Sequence, residues 1–383
     1  MGNDKQHALL SASASHRWLH CTPSVRLEEQ FEDRGSDYAK EGTLAHDICE
    51  LKLKKKFTPM SSRSFTTAMN KLKKHELYQE EMQGYTDIYV DYITEIIYGL
   101  PTKPYTAFEK KLNYSTYAKD GFGTADCLII HGDTLRVIDF KYGKGVPVSA
   151  EDNPQMKLYA LGAISEFGFI YPIQKVIVSI VQPRLDSISE WETSFDDLIA
   201  FGNNVVKPAA EKAHMGVGDF IAGEHCKFCR AKAKCRVRAE ENMKLTQFEF
   251  KKPPLLTNEE VGTALSMALD LKKWASDLEE FALDELLKGN DVQGWKVVEG
   301  RSNRAFVNVE EAFTRLTNSG VESALLYERK PISLTAVEKL IGKKQFDEIL
   351  VNDICKPQGK PALVPESDKR EPYQLSSAKN DFQ

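Results

Sequence analysis

This chain of 383 residues lacks the marks of several protein classes. No run of residues approaches the about twenty uninterrupted apolar positions that a membrane-spanning helix needs. The opening MGNDKQHALLSAS has neither the basic start nor the apolar stretch of a secretory signal. No internal repeat is visible, which sets aside solenoids and propellers. We therefore expect a soluble intracellular protein of the cytoplasm. An excess of positive charge is also missing: 51 Lys and Arg against 56 Asp and Glu give a net charge of −5, so a uniformly basic nucleic-acid binder is excluded. Any phosphate contact must come from local patches. The seven cysteines are odd in number, and without an export signal they do not suggest a disulfide framework. Metal ligation is then the first alternative.

What the chain does contain is an ordinary globular composition, 42 % hydrophobic and 28 % charged, enough to bury a core. The segment SASASHRWLHC runs into a short helical pattern ending near Cys21. EGTLAHDICELKLKKK reads as a helix with Leu44, Ile48 and Leu51 on one stripe; His46 lies off that stripe and shares a face with Cys49 and Glu50. A second helix is expected from about His75 to Tyr98. From Tyr105 the period changes to alternation, giving three strands in a meander: YTAFEKKL, GTADCLIIH and TLRVIDFK. Asn153 as N-cap and Pro154 at the first helical position open the helix NPQMKLYALGAISEFG. KVIVSIVQP follows as a buried strand closed by Pro183, and a helical pattern covers roughly Ser194 to His214. This β-β-β-α-β order predicts an α/β fold with a central mixed sheet flanked by helices.

KKPP after Lys251 marks a boundary, so residues 1–250 are expected to form one domain and 251–383 a mainly helical accessory region. That region holds an amphipathic helix from Asn258 to Leu287, a strand-like GWKVVEG, two shorter helices and a Pro/Lys/Ser-rich tail expected to be poorly ordered. Arg301, Asn303 and Arg304 offer phosphate contacts or, in the plainer reading, a solvated turn.

The chemistry gathers around the turn His131-Gly132-Asp133-Thr134. Gly132-Asp133 suits a two-residue type II′ hairpin. Counting outward, Ile130 faces Leu135, Leu128 faces Val137, and Asp126 faces Asp139. Strict alternation then puts Asp126, Asp139 and Lys141 on one face of the sheet, with Phe140 turned away. Like charges directly opposed destabilise a strand pair, so such a face wants a cation, and Mg²⁺ or Mn²⁺ suits carboxylate oxygens. The alternative is a plain edge strand with exposed Asp139 and Lys141, which the apolar surroundings of VIDFK disfavour.

Gly123-x-x-Asp126, then Asp139-x-Lys141, then Gln155-x-x-x-Tyr159 on the next helix resembles the motif series of RecB-type nucleases in the PD-(D/E)XK superfamily. The resemblance implies a restriction-endonuclease-like core. It implies that Asp126, Asp139, His46 and the carbonyl of Phe140 bind the divalent ions. Lys141 would orient the attacking water or stabilise the reacting phosphate, and Gln155 and Tyr159 would position the strand; the alternative for that pair is a polar–aromatic contact packed on the sheet. Glu109 on the preceding strand is either an extra acid or a solvent-facing residue.

Cys226-x2-Cys229-x5-Cys235 is compact enough to share a metal, and Cys21 is the best fourth ligand. Four thiolates suit zinc as well as an iron–sulfur cluster, so the spacing leaves both open. The bracketing of the nuclease motifs by one early and three late cysteines resembles the iron–sulfur branch that includes AddB-type subunits, CRISPR-adaptation exonucleases and phage proteins. That resemblance, which covers approximately Leu9 to Arg238, implies a [4Fe-4S] cluster stapling the two ends of the domain. His20 and His225 flank ligands and are weaker candidates for a mixed site. Cys49, Cys127 and Cys355 read as small buried hydrophobes. Of the basic runs, Lys52, Lys54, Lys55 and Lys56 read as a solvated face. Lys227, Arg230, Lys232, Lys234, Arg236 and Arg238, interleaved with the cysteines, are expected to add non-specific attraction for DNA.

The expectation is a Mg²⁺- or Mn²⁺-dependent deoxyribonuclease, an exonuclease on single-stranded DNA ends in phage-type replication or recombination, with a single-strand-binding protein or recombinase as partner. The rival is a non-catalytic single-strand binder or replication scaffold that keeps the nuclease fold. A zinc-binding regulatory protein is a third reading.

Overall fold

A computed structural model describes residues 8–33, 35, 37–248, 256–298, 308–327, 337 and 342–350. The chain forms two compact units, Met1–Val298 and Glu299–Gln383. In the first, short helices α1 (Ser15–His20) and α2 (Ser24–Glu28) precede three longer ones, α3 (Asp37–Phe57), α4 (Ser62–Leu72) and α5 (Glu81–Gly99). The stripe read from the sequence is the buried face of α3: Leu44, Ile48 and Leu51 are buried together with Ala45, Cys49 and Leu53. Helix α4 was not foreseen; the Ser61 hydroxyl caps it by accepting from Ser64 N.

Five strands follow: β1 (Tyr105–Asn113), β2 (Phe122–His131), β3 (Thr134–Phe140), β4 (Lys175–Gln182) and β5 (Ser187–Ser194). They lie side by side in sequence order, antiparallel except for β3 and β4. That one parallel pair needs a crossover, which α6 (Pro154–Phe167) supplies, its N-cap Asn153 accepting from Gln155 N and Met156 N. At the hairpin only Gly132 has a positive φ, +60°, as a type II′ turn requires, and Ile130 pairs Leu135 and Leu128 pairs Val137. Edge strand β5 was missed because its inward positions are Ser187, Ser189, Trp191 and Thr193, three of them polar, while Ile188 faces out. Hydrophobic alternation is therefore absent where geometric alternation is strict.

The sheet separates two apolar cores. On one face Leu128, Ile130, Leu135, Val137, Val176 and Val178 pack against α6. On the other, Cys127, Ile129, Ile138 and Phe140 pack against α3 and α5. The helical pattern after Ser194 is interrupted: α7 (Phe195–Phe201) and α8 (Lys207–Met215) join through a π turn at Gly202–Val206. Tyr117 presses into this turn so closely that a Cβ on Gly202 would sit 2.5 Å from its ring. After the cysteine loop come α9 (Arg236–Met243) and α10 (Asn258–Leu287), the latter opened by a Thr257/Glu260 capping box. Helix α10 belongs to the first unit, so the break lies at Val298, later than KKPP suggested. The segment expected as a strand is not one: residues 295–298 join no sheet.

The second unit contains α11 (Val309–Asn318), capped by Asn308, and α12 (Lys343–Leu350). KKPP, Arg301, Asn303, Arg304, Cys355 and the tail lie outside the described residues.

Candidate metal centre and thiol cavity

Strict alternation fails at one level of the sheet, in two neighbouring strands at once. Gly123, Ala125, Leu128 and Ile130 all belong to the α6 side, a step of three between Ala125 and Leu128. In β1, Lys110 reaches Glu166 of α6 and Leu112 enters the same core, whereas Phe108 packs in the opposite one. At the missed beat stand Glu109 and Asp126, and they drop out of an otherwise continuous β1–β2 pairing. Glu109 has φ +47°, a left-handed conformation costing a non-glycine residue about 1–2 kcal/mol. The break turns both acids toward α3.

There they meet His46, whose Nδ1 lies 3.2 Å from Asp126 Oδ1 and 3.8 Å from Glu109 Oε1. The other oxygen of Asp126 accepts from Phe140 N at 2.7 Å, so a carboxylate stands where a backbone acceptor would continue the β2–β3 ladder, whose last pair is Cys127 with Ile138. Phe140 gives its backbone N–H to Asp126 and its ring to the core, edge-on to His46 at 5.3 Å. Among the described residues, His46, Glu109 and Asp126 are the one set of three ligand atoms within 4.8 Å of one another. Burial alone would lower the His46 pKa, but the charge of Asp126 and hydrogen bonds to Asp126 and Glu109 hold it up at about 10. Burial pushes the other way on Asp126, and His46 still keeps it below the ordinary carboxylate value.

Asp139 and Lys141 remain on the α6 side. Asp139 Oδ1 accepts from Gln155 Nε2 at 3.2 Å, and its Oδ2 lies 3.0 Å from Lys141 Nζ. Lys141 donates to Gln155 Oε1 at 3.2 Å, which fixes the amide's orientation: oxygen to the ammonium, nitrogen to the carboxylate. Asp139 is almost fully buried, and its Oδ2 has no well-formed hydrogen bond. Burial raises its pKa against the pull of Lys141, with the Asp126 charge adding to the rise. Asp126 therefore does not share one face with Asp139 and Lys141, as alternation implied; the two carboxylates lie on either side of a splayed strand end and feel each other's charge. Tyr159 is buried, 6 % exposed, and accepts from Gln155 Nε2 at 3.0 Å. Its ring fills the space where Gly123 lacks a Cβ, which would stand 2.7 Å away. It positions Gln155 rather than lining an open surface.

Gln182, unnoticed in the sequence, pins the loop after Lys141. Buried, it accepts from Val148 N and donates to the carbonyls of Gly143 and Val146. An amide ending the apolar run KVIVSIV, just before a proline, was the signal.

Cys21, Cys226, Cys229 and Cys235 line one small cavity together with Arg17 and His225. Buried Glu28 joins its two walls, bonding Arg17 Nη2 at 2.8 Å and Arg230 N at 2.7 Å. Arg17 also donates to Phe228 O and Thr22 to Val217 O. No three of the four sulfurs fall within 4.8 Å of one another. Cys49 and Cys127 are buried in the α3 side core. The basic run is less open than expected: Lys232 and Arg238 both bind Asp277 of α10 at 2.6 Å, and Arg238 is buried. Lys52, Lys54 and Lys56 pair with Asp87, Glu50 and Asp91.

Fold and site together define an α/β protein with a five-stranded mixed sheet whose first two strands bring Glu109 and Asp126 to His46 of α3, together with a cavity of four thiols. The chain belongs to a family described as protein of unknown function (DUF2800), whose model matches residues 7–371. It is also similar to the crystal structure of SSO0001, with 15 % identity over 62 % of this chain and 90 % of that one, at a TM-score of 0.30. No helix among the described residues is long and apolar enough to cross a membrane.

Proposed function

We propose that this protein is a Mg²⁺- or Mn²⁺-dependent deoxyribonuclease with a PD-(D/E)XK core, acting on single-stranded DNA ends in phage-type replication or recombination. One observation carries this reading: the sheet breaks its alternation to present His46, Glu109 and Asp126 together, beside the buried Asp139, Lys141 and Gln155. The donor set fits a divalent ion, being one imidazole and hard carboxylate oxygens, with Asp139 Oδ2 held by the Lys141 ammonium at 3.0 Å beside it. His46, Asp126, Asp139 and the carbonyl of Phe140, with Glu109 added by the structure, would hold one or two ions. A bound ion lowers the pKa of its water and neutralises charge on the phosphoryl oxygens.

The chain's own residues do the rest. Lys141 stays an ammonium, since Asp139 and Asp126 outweigh burial in raising its pKa, and it offers that charge to the phosphate. Gln155 bonds to both members of the Asp139–Lys141 pair and fixes their orientation, and Tyr159 holds Gln155. Partners expected on the same reading are a recombinase or a single-strand-binding protein.

The four cysteines would hold the [4Fe-4S] cluster, whose role is to lock the first turns of the domain to its cysteine loop. Zinc bonded at about 2.3 Å in a tetrahedron brings all four sulfurs to roughly 3.8 Å of one another. Zinc is the other group this set of four thiolates would take, and metal analysis of the purified protein separates the two.

The test uses anaerobically purified protein, labelled single-stranded and duplex DNA, and Mn²⁺. Wild type degrades single strands from their ends, while Asp139→Ala and Asp126→Ala bind but do not cut. Equal degradation by wild type and Asp139→Ala refutes the site. Tight binding without cleavage by wild type in any divalent metal identifies the non-catalytic rival.

A further inference from the structure

The loop that leaves β3 after Lys141 has its backbone sorted by one buried side chain. Gln182, at the end of β4, gives its amide hydrogens to Gly143 O at 2.7 Å and Val146 O at 2.9 Å, and accepts from Val148 N at 3.1 Å. Burying an amide is costly unless its groups are bonded, and here each is used. A trans peptide is planar, with C=O and N–H pointing opposite ways, so drawing Gly143 O toward Gln182 directs the Lys144 N–H to the open side. Val146 O is followed by Pro147, which has no N–H to direct. The N–H groups of Gly143, Lys144 and Gly145 meet no acceptor among the described residues, and all three residues are exposed.

The fold itself does not demand the two glycines. A Cβ on Gly143 or Gly145 would meet nothing within 4 Å, and neither residue has a left-handed φ, whereas Gly123 and Gly202 make room for rings. Bare backbone on both sides of Lys144 leaves space for a group from outside to reach the N–H groups. Lys144 makes no ion pair among the described residues, unlike Lys52, Lys54, Lys232 and Arg238.

We infer that Gly143-Lys144-Gly145 is a phosphate-binding loop, which holds a backbone phosphate of the DNA strand lying across the site through the Lys144 ammonium and the outward N–H groups. This rests on the nuclease reading above. With Gly143 O and Val146 O drawn inward, the outer side of the loop presents donors and a cation, a surface that suits an anion. Its place is set by β4: Lys141 N bonds Val181 O at 2.9 Å, and three further residues span at most about 11 Å. Lys144 therefore stays within reach of the strand that Lys141 faces. Gln182 holds the loop that carries it.

The experiment measures binding of fluorescein-labelled single-stranded DNA by anisotropy over a salt series, in Ca²⁺, with the full chain as wild type, Lys144→Gln, Lys144→Arg and Gly145→Ala. All three variants should melt with wild type, since the exposed positions they change take no part in packing. Lys144→Gln should bind roughly tenfold more weakly, and its slope of log affinity against log salt should be shallower by about 0.7, the share of one phosphate contact on a single strand. Lys144→Arg should keep the wild-type slope. Gly145→Ala keeps every charge and should still lose about threefold, because a methyl group then stands between the phosphate and the N–H groups. Wild-type affinity and slope in Lys144→Gln overturn the inference and leave the nuclease reading intact. Wild-type affinity in Gly145→Ala overturns the role given to the N–H groups. An equal loss of slope in Lys212→Gln, an exposed position of α8, would make the effect one of net charge and overturn the loop as a site. Wild type that binds no DNA in either Ca²⁺ or Mn²⁺ overturns the nuclease reading and the inference with it.

Discussion

Replacing Gly123 with alanine sets a methyl group against the ring that organises the site. The new Cβ would stand 2.7 Å from Tyr159 Cε1 and 3.3 Å from Ala12 Cβ. Carbon atoms in contact prefer about 3.5–4.0 Å, so the ring must retreat by roughly 1 Å. It has little freedom to do so, being buried and holding Gln155 Nε2 through its hydroxyl at 3.0 Å. Overpacking of this kind costs about 1–3 kcal/mol, and loss of the hydrogen bond adds to it. For a domain of this size about 2 kcal/mol lowers the melting temperature by roughly 4–8 °C. Calorimetry of metal-free Gly123→Ala measures that drop. The double variant with Tyr159→Leu separates clash from cavity: its cost should fall short of the two single costs summed by at least about 1 kcal/mol, since removing the ring removes the collision. Strict additivity, or a Gly123→Ala protein that melts with wild type, refutes the packing explanation for this glycine. Gln155 without its tyrosine also loosens Asp139 and Lys141, so turnover should fall further than DNA affinity.

Glu28→Ala leaves half-buried Arg17 without its carboxylate and Arg230 N without an acceptor, and should cost about 3 kcal/mol in urea denaturation; a cost under about 1 kcal/mol would show that these contacts do not hold the cavity walls. His46 is held at about 10 against an ordinary 6.5, so in metal-free protein its contribution is complete below pH 6.5 and is lost as pH rises through 10. Melting temperatures between pH 7 and 9.5 should therefore decline in wild type and stay flatter in His46→Gln; parallel curves would rule out a protonated His46. Asp277→Asn should release Lys232 and Arg238 and strengthen single-strand binding with a steeper salt dependence, measured by fluorescence anisotropy. An unchanged salt slope would mean that neither cation reaches DNA.

The centre of the sheet was legible because two signals agreed there. The Gly132-Asp133 turn set the register, and alternation in β2 and β3 named the buried positions, so Leu128–Val137 and Ile130–Leu135 could be counted in advance. The same rule misplaced Asp126, because a change of phase in two adjacent strands leaves no mark in composition; the strain at Glu109 is visible only in the backbone. Strand β5 escaped because edge position and hydrogen bonding, not apolar burial, hold it. Ser189 Oγ accepts from Ala150 N, and Glu190 accepts from Tyr92 and Ser179. Gln155 and Tyr159 were recognised as a pair, but their roles depend on which atom is buried, and helix periodicity does not report that. The four cysteines were grouped by spacing, whereas the neutralisation of Lys232 and Arg238 required knowing where Asp277 lands, 39 residues beyond Arg238.

The thiol cavity unites Cys21 with Cys226, cysteines that stand 205 residues apart in the chain. At ribosomal speeds of about 5–20 residues per second, Cys21 emerges roughly 10–40 s before its partners do. During that interval α1 and α2 come to pack on α6 and α8, but Glu28 has no Arg230 and Arg17 no Phe228 carbonyl to hold. Completion of this seam thus comes late in synthesis, with α9 and α10 of the first unit still to follow, and a chain truncated before Cys226 should be cut by proteases in its first helices sooner than the full chain.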